Sequence, residues 1–142
     1  MLGRKDYTKD ELDHASTAVT KEIAAYRKLA RAVEATGDKK AAAALAAFEP
    51  ILFNSMVLTL DRYFVHRLRS VTGKDSSPLN ELELLTESLM NNGGVVRGNN
   101  VIKYVPENTV LNLETGDKVK LSVADFEQLA KGVLAEIDDK FV

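Results

Sequence analysis

The chain has no cysteine, which excludes disulfides, thiolate metal sites, iron–sulfur ligation and a cysteine nucleophile together. Histidine is almost as scarce: His14 and His66 are the whole supply. No Lys/Arg run exceeds a pair, and the pI is near 5.7. A nucleic-acid binder usually carries a basic footprint with a pI above about 9, so nucleic acid is not an expected partner. Long apolar runs are missing too. The most apolar window, residues 41–60, is broken by Glu49, Pro50 and Asn54 and is mostly alanine in its first half, so no membrane span is expected. The opening MLGRKDYTKDEL has charge but no apolar stretch behind it, which argues against a secretory signal. A reducing cytoplasm is the expected location, and no motif calls for a cofactor.

The chain does contain a strong helical pattern. Its 142 residues are 45% hydrophobic, enough for one core that buries roughly two-thirds of the unfolded surface. Residues 1–142 are therefore expected to form one domain, with residues 1–6 disordered. Thr8 and Glu11 form a capping-box signature with Tyr7 and Leu12 at the staple positions, so a helix starts there. Leu12, Val19, Tyr26 and Val33 repeat every seven residues until Gly37 offers a left-handed stop. That repeat suits a bundle or a seam with another chain, and a homodimer through this first helix is the expected assembly.

Asp38 caps a second helix that begins with AAAALAAF, and Pro50 predicts a break or kink near residue 49. The pattern resumes over Ile51 to Thr72, with Gly73 as its stop. Ser77 and Pro78 open a further helix, with Leu79, Leu82, Leu85 and Leu89 on one face, Glu83 and Glu87 on the opposite side and Glu81 on a flank. The runs VIKYV and KVKL, parted by GNN, PEN and ETGD, predict short paired strands. Ser122 and Asp125 then start a last helix whose apolar face is Phe126, Leu129, Val133, Leu134, Ile137 and Phe141. The predicted fold class is mainly α, a four- to five-helix bundle with a small antiparallel β element near residues 95–121.

The segment NSMVLTLDRYFVHRLR, residues 54–69, carries the main functional candidate. On a continuous helix Ser55, Thr59, Arg62, His66 and Arg69 share an arc of about 80°, while apolar residues cover the other side. Buried guanidinium groups need a counter-charge, so this stripe faces either an anionic ligand or the protein's own carboxylates. Residues 1–75 hold 13 basic and 10 acidic side chains and residues 76–142 hold 6 and 11, so the two halves attract. If helices 51–72 and 78–91 pack antiparallel, Arg69 falls level with Glu81, Arg67 with Glu83 and Arg62 with Glu87. An internal ion-pair ladder then competes with an anion site at Ser55, Thr59, Arg62, His66 and Arg69.

Other motifs are weaker. His66 as a general base is disfavoured by its flanking arginines, and Asp61 lies about 140° around the helix from it, out of reach for orienting it. Glu11 and His14 spell one E-x-x-H, but a carboxylate-bridged di-iron bundle needs two such units and two further glutamates, so no metal is expected. NNGGVVRGNN matches no phosphate-binding loop and reads as turn chemistry, with Arg97 the one residue kept as a candidate.

LDRYFVHRLR, GKD at 73–75 and PLNE at 78–81 together resemble a group of small bacterial proteins known mainly as hypothetical sequences, over residues 54–142. The resemblance implies no activity and no catalytic residue. The expected function is that of a non-enzymatic cytoplasmic binding or interaction protein, with a small-molecule enzyme or sensor using an anionic ligand at Arg62, His66 and Arg69 as the alternative. A DNA-binding role for helix 78–91 is opposed by its glutamates.

Overall fold

The computed structural model describes residues 3–142, and it is mainly helical. Five α-helices follow in order among these residues: α1 Lys9–Thr36, α2 Lys39–Tyr63, the single-turn α3 Arg69–Thr72, α4 Pro78–Asn91 and α5 Val123–Phe141. The helix starts follow the sequence signals. Thr8 and Glu11 form a complete capping box on α1, Gly37 closes it at φ 68°, Asp38 accepts from the Lys40 and Ala41 amides, and Ser122 and Asp125 box the start of α5.

The bundle consists of α1, α2, α4 and α5, with α5 packed against all three of the others and α2 also against α1 and α4. Phe53, Val57 and Leu60 of α2, Leu79, Leu82 and Leu85 of α4, and Phe126, Leu129, Val133 and Ile137 of α5 are fully buried. Aromatic contacts close both ends of this core. Tyr26 meets Phe53 edge-on at 4.9 Å and Phe53 lies 5.6 Å from Phe126, while Tyr7 sits 5.2 Å from Phe64 and 5.8 Å from Phe141.

Four expectations are corrected. First, of the break or kink expected near residue 49, the break is absent: α2 is a single helix through Pro50. The residue four positions back, Ala46, is exposed, so water can take the carbonyl that proline leaves free. Side chains on both sides of Pro50 also anchor the helix: Glu49 accepts the Val123 amide at 2.8 Å, and Asn54 bridges the Val119 carbonyl and the Leu121 amide. Second, the helix expected over Ile51–Thr72 ends at Tyr63. Third, residues 3–6 are not loose: the Arg4 amide donates to the His66 carbonyl and the Leu68 amide to the Arg4 carbonyl, both at 2.7 Å. Met1 and Leu2 lie outside the described residues.

The fourth correction concerns residues 95–121. No sheet forms among the described residues; one antiparallel bridge, Val95 to Lys118, and a 3-10 turn at Pro106–Asn108 stand in its place. Side chains of α4 and of the loop before it take backbone groups that strand pairing would have used. Ser76 donates to the Lys103 carbonyl and accepts from the Val105 amide, both at 2.7 Å. Glu81 accepts the Val110 and Leu111 amides at 2.8 and 3.1 Å, one on each carboxylate oxygen. Expected on the flank of α4 and level with Arg69, Glu81 is 0% exposed.

Burial raises the Glu81 pKa, an effect that the two amides only partly offset. The folded protein therefore keeps this proton to higher pH than the unfolded chain does, and stability should fall as pH rises from the ordinary carboxylate range through the raised value. Glu81→Gln cannot titrate and should flatten that fall. Urea midpoints measured between about pH 4 and 7 would show it.

Candidate functional site

The structure separates the five candidate residues of the 54–69 segment. Ser55, Thr59 and Arg62 lie on α2 and are exposed, whereas His66 and Arg69 come after the helix has ended and are exposed elsewhere. Arg67 marks this end. It is the buried arginine of the segment, with its side chain 4% exposed. Its Nη1 donates to Asp61 Oδ1 and to the Phe64 carbonyl, both at 3.0 Å, and Nη2 reaches the Leu79 carbonyl at 3.5 Å. One guanidinium thus binds the Phe64 carbonyl at the turn, the Leu79 carbonyl of α4 and the nearest carboxylate together. Arginine identity alone could not separate Arg67 from Arg62, because the distinction depends on where the helix stops.

The ladder forms only one inter-helix rung, and that with a shifted partner. Arg69 Nε is 3.0 Å from Glu83 Oε1, with the Arg69 side chain 70% exposed. Arg67 turns to Asp61 within its own segment, Glu81 is occupied by loop amides, and Arg62 forms no ion pair among the described residues. Two hollows flank the turn. One, of about 350 Å³, is bordered by Asp61, Arg67, Arg69, Glu83, Thr86 and Glu87. The other, of about 360 Å³, is bordered by Gly3, His66, Leu68, Arg69 and Ser70. In the first, both arginines already face carboxylates and Glu87 adds a further negative charge, which is poor chemistry for an anion.

The N-terminal segment braces the same turn. Arg4 forms a double hydrogen bond with Glu11 at 2.5 and 2.6 Å, and its guanidinium carbon lies 4.2 Å above the Tyr7 ring. The Arg4 bond, helped by the Thr8 amide, pulls the exposed Glu11 carboxyl down to about 2. Burial raises the Tyr7 pKa, and its hydroxyl has no hydrogen-bond partner among the described residues. Glu11 is thus committed to capping and pairing, and His14 packs edge-on to Tyr63 at 6.1 Å. No group of three His, Cys, Asp or Glu side chains placed to hold a metal ion occurs among the described residues. Arg97 is exposed, and its backbone amide donates to Ser88 Oγ.

The larger surface feature lies on α1 and α2. No residue from 27 to 52 is buried; Ala30, Leu45 and Leu52 touch the edge of the core, and beyond them the end of α1 and the start of α2 form a hairpin arm. The α2 side of this arm is apolar, with Phe48 and Ile51 45% and 66% exposed amid Ala42, Ala43, Ala44, Ala46 and Ala47, and Leu29 of α1 is 49% exposed; Lys28, Arg31, Glu34, Asp38, Lys39 and Lys40 keep the rest of it charged. By length and composition α2 could cross a membrane, at a mean hydropathy of 1.6 over 18 residues, yet only 17% of that window is buried. One groove of about 490 Å³ runs between the arm helices, bordered by Tyr26, Leu29, Phe48, Leu52, Ser55 and Thr59. A second, of about 590 Å³, continues across α2 toward α4, bordered by Ser55, Leu58, Thr59, Arg62, Tyr63 and Met90. Ser55 and Thr59 border both grooves, and their small side chains leave a low saddle between them. The sequence read these two residues as anion donors; the structure places them in an apolar surface.

No protein-family model, curated protein or solved structure matches this chain.

Arg67→Leu would leave Asp61 unpaired and remove the tie between the turn and α4, and should lower unfolding stability by about 2–4 kcal/mol. Arg69→Ala, at an exposed pair, should change it by less than about 1 kcal/mol. Urea denaturation of both variants checks the contrast. Arg4→Ala should return the Glu11 carboxyl toward the ordinary carboxylate range, and an NMR titration of Glu11 reads this directly. In the wild type, the stabilisation from this pair is present above the ordinary carboxylate value and fades as pH falls toward about 2.

Proposed function

We propose that this protein is a non-enzymatic binding protein whose recognition surface is the projecting α1–α2 arm and the grooves beside it. The observation that carries the reading is the absence of any buried residue between 27 and 52 in a segment rich in alanine, with Leu29, Phe48 and Ile51 exposed. Isolated helices of about 12–15 residues are marginal in water even with favourable composition, and packing normally holds them. Exposed apolar faces of this kind mark interaction sites. The natural ligand of such a face is another amphipathic helix, laid along the grooves with anchors at helical spacing. The polar hollows at the end of α2 support an enzyme less well, because their cations are already paired.

A synthetic helical peptide with leucine at heptad spacing and no net charge should bind the protein, read by fluorescence anisotropy of a label on the peptide. The double variant Phe48→Glu, Ile51→Glu should lose at least about tenfold in affinity, equivalent to 1.4 kcal/mol. Each exposed position should cost no more than about 0.5 kcal/mol of folding stability. Equal peptide affinity in the double variant and the wild type would sink the reading.

A further inference from the structure

We infer that the occupant of this face is a second copy of the chain, paired antiparallel through α2 so that each projecting arm lies in the groove beside the other's Ser55 and Leu58. The inference rests on the binding-surface reading above. Its geometric basis is the face itself. Ala44, Phe48, Ile51, Ser55, Leu58 and Arg62 follow one another at intervals of four, three, four, three and four. At 100° per residue they occupy an arc of about 80°, the spacing of a helix–helix seam. Phe53 and Leu60, which face the core, lie on the opposite side of α2.

That series of intervals is the same read in either direction. A two-fold axis at the level of residue 53 therefore brings every seam residue opposite another: Phe48 faces the second copy's Leu58, Ile51 faces its Ser55, and Ala44 faces its Arg62. Large side chains meet smaller or more flexible ones in each layer. Ile51, 66% exposed, comes over the saddle where Ser55 separates the two grooves, and Phe48 enters the groove bordered by Leu58, Thr59 and Met90. The seam carries no charge between its ends. Its donor half, residues 44–52, lies on the uncovered arm, and its acceptor half, residues 54–62, lies on the bundle body. One chain thus supplies both halves of a closed, isologous contact.

The area is also suitable. From residue 44 to 62 the helix spans about 27 Å, and a face two helices wide covers roughly 540 Å² in projection. Side-chain relief enlarges this toward the ~800 Å² per partner of a standard interface. A lone peptide helix would cover about half of that width and leave the rest of the arm wet.

The absence of native cysteine makes the test clean. In Ala44→Cys/Arg62→Cys the two cysteines of one chain stand about 27 Å apart along α2 and cannot bridge each other. In the paired register each faces its counterpart on the second copy. Mild oxidation should give a covalent species of twice the 15.6 kDa chain mass. Ala44→Cys alone and Arg62→Cys alone should give none. Sedimentation of the unmodified protein should show a dimer, and Phe48→Glu/Ile51→Glu should return it to monomer with its helical circular dichroism intact.

A wild-type monomer at concentrations of order 100 µM would overturn the inference. If that monomer still bound the heptad-leucine peptide, the binding-protein reading would survive; if it bound neither, both would fail. Dimers that cross-link equally well through either single cysteine would overturn the register and with it the inference. A monomer that co-sediments with phosphatidylcholine–phosphatidylglycerol vesicles through the arm would overturn it in favour of a lipid surface.

Discussion

A long connection without a sheet must find hydrogen-bond partners for its backbone, and in this protein one buried carboxylate bears much of that demand. Glu81 reaches from α4 to the consecutive amides of Val110 and Leu111, and no cation pairs with it among the described residues. Burying a charge without a counter-ion is costly unless hydrogen bonds replace its water. The two amides replace part of it, and burial still raises the pKa. Around this clamp there are smaller ones: Ser76, in the loop before α4, to residues 103 and 105, and Asn54 and Glu49 of α2 to 119 and 121 and to 123. Glu136 of α5 accepts the Leu79 amide at 2.8 Å, so the first turn of α4 is capped from a neighbouring helix. The bundle is therefore held by polar side chains directed at backbone as well as by its apolar core.

The second organising element is Arg67, which allows α2 to stop where the apolar pattern does not. Tyr63 through Leu68 would read as helix by composition alone, and helix propensity differs little among these residues. What ends the helix is tertiary: a guanidinium with two carbonyls and Asp61 within reach, and the Arg4 strand-like contact on the other side of the turn. The turn disperses the cationic stripe. It also brings Tyr7, Phe64 and Phe141 into one aromatic cluster that joins the start of the chain to the last helix.

Much of the bundle was legible in the residues. Local signals placed the starts of α1, α2, α4 and α5, because Thr8, Asp38, Ser77 and Ser122 act on amides two or three positions away. The core leucines of α4 and the phenylalanines of α5 followed from helical periodicity. Three features depended on distant contacts and so were not legible. Continuity through Pro50 requires anchors from residues 119–123, the end of α2 requires Leu79 and Arg4, and the unpaired loop requires Glu81. VIKYV and KVKL have strand-forming composition, but paired strands need an available neighbour, and here helix and loop side chains occupy backbone groups instead. The candidate site fared similarly. Ser55, Thr59 and Arg62 do share a surface, as their spacing implied, but its character is set by the uncovered Phe48 and Ile51 next to them.

The two caps stand side by side at the tip of the arm, and this has a mechanical meaning. Gly37 in a left-handed conformation and Asp38 as the next cap leave no spacer between α1 and α2. The two helices are therefore linked by a stiff corner, and neither can swing independently of the other. Leu29 and Phe48 border one groove from the two helices, so whatever contacts Phe48 also bears on Leu29, and the arm acts as a single lever whose fulcrum is the Tyr26–Phe53–Phe126 stack at its base. A load on the tip would be transmitted first to α5, through the Arg27–Glu127 pair at 2.9 Å that lies just outside that fulcrum.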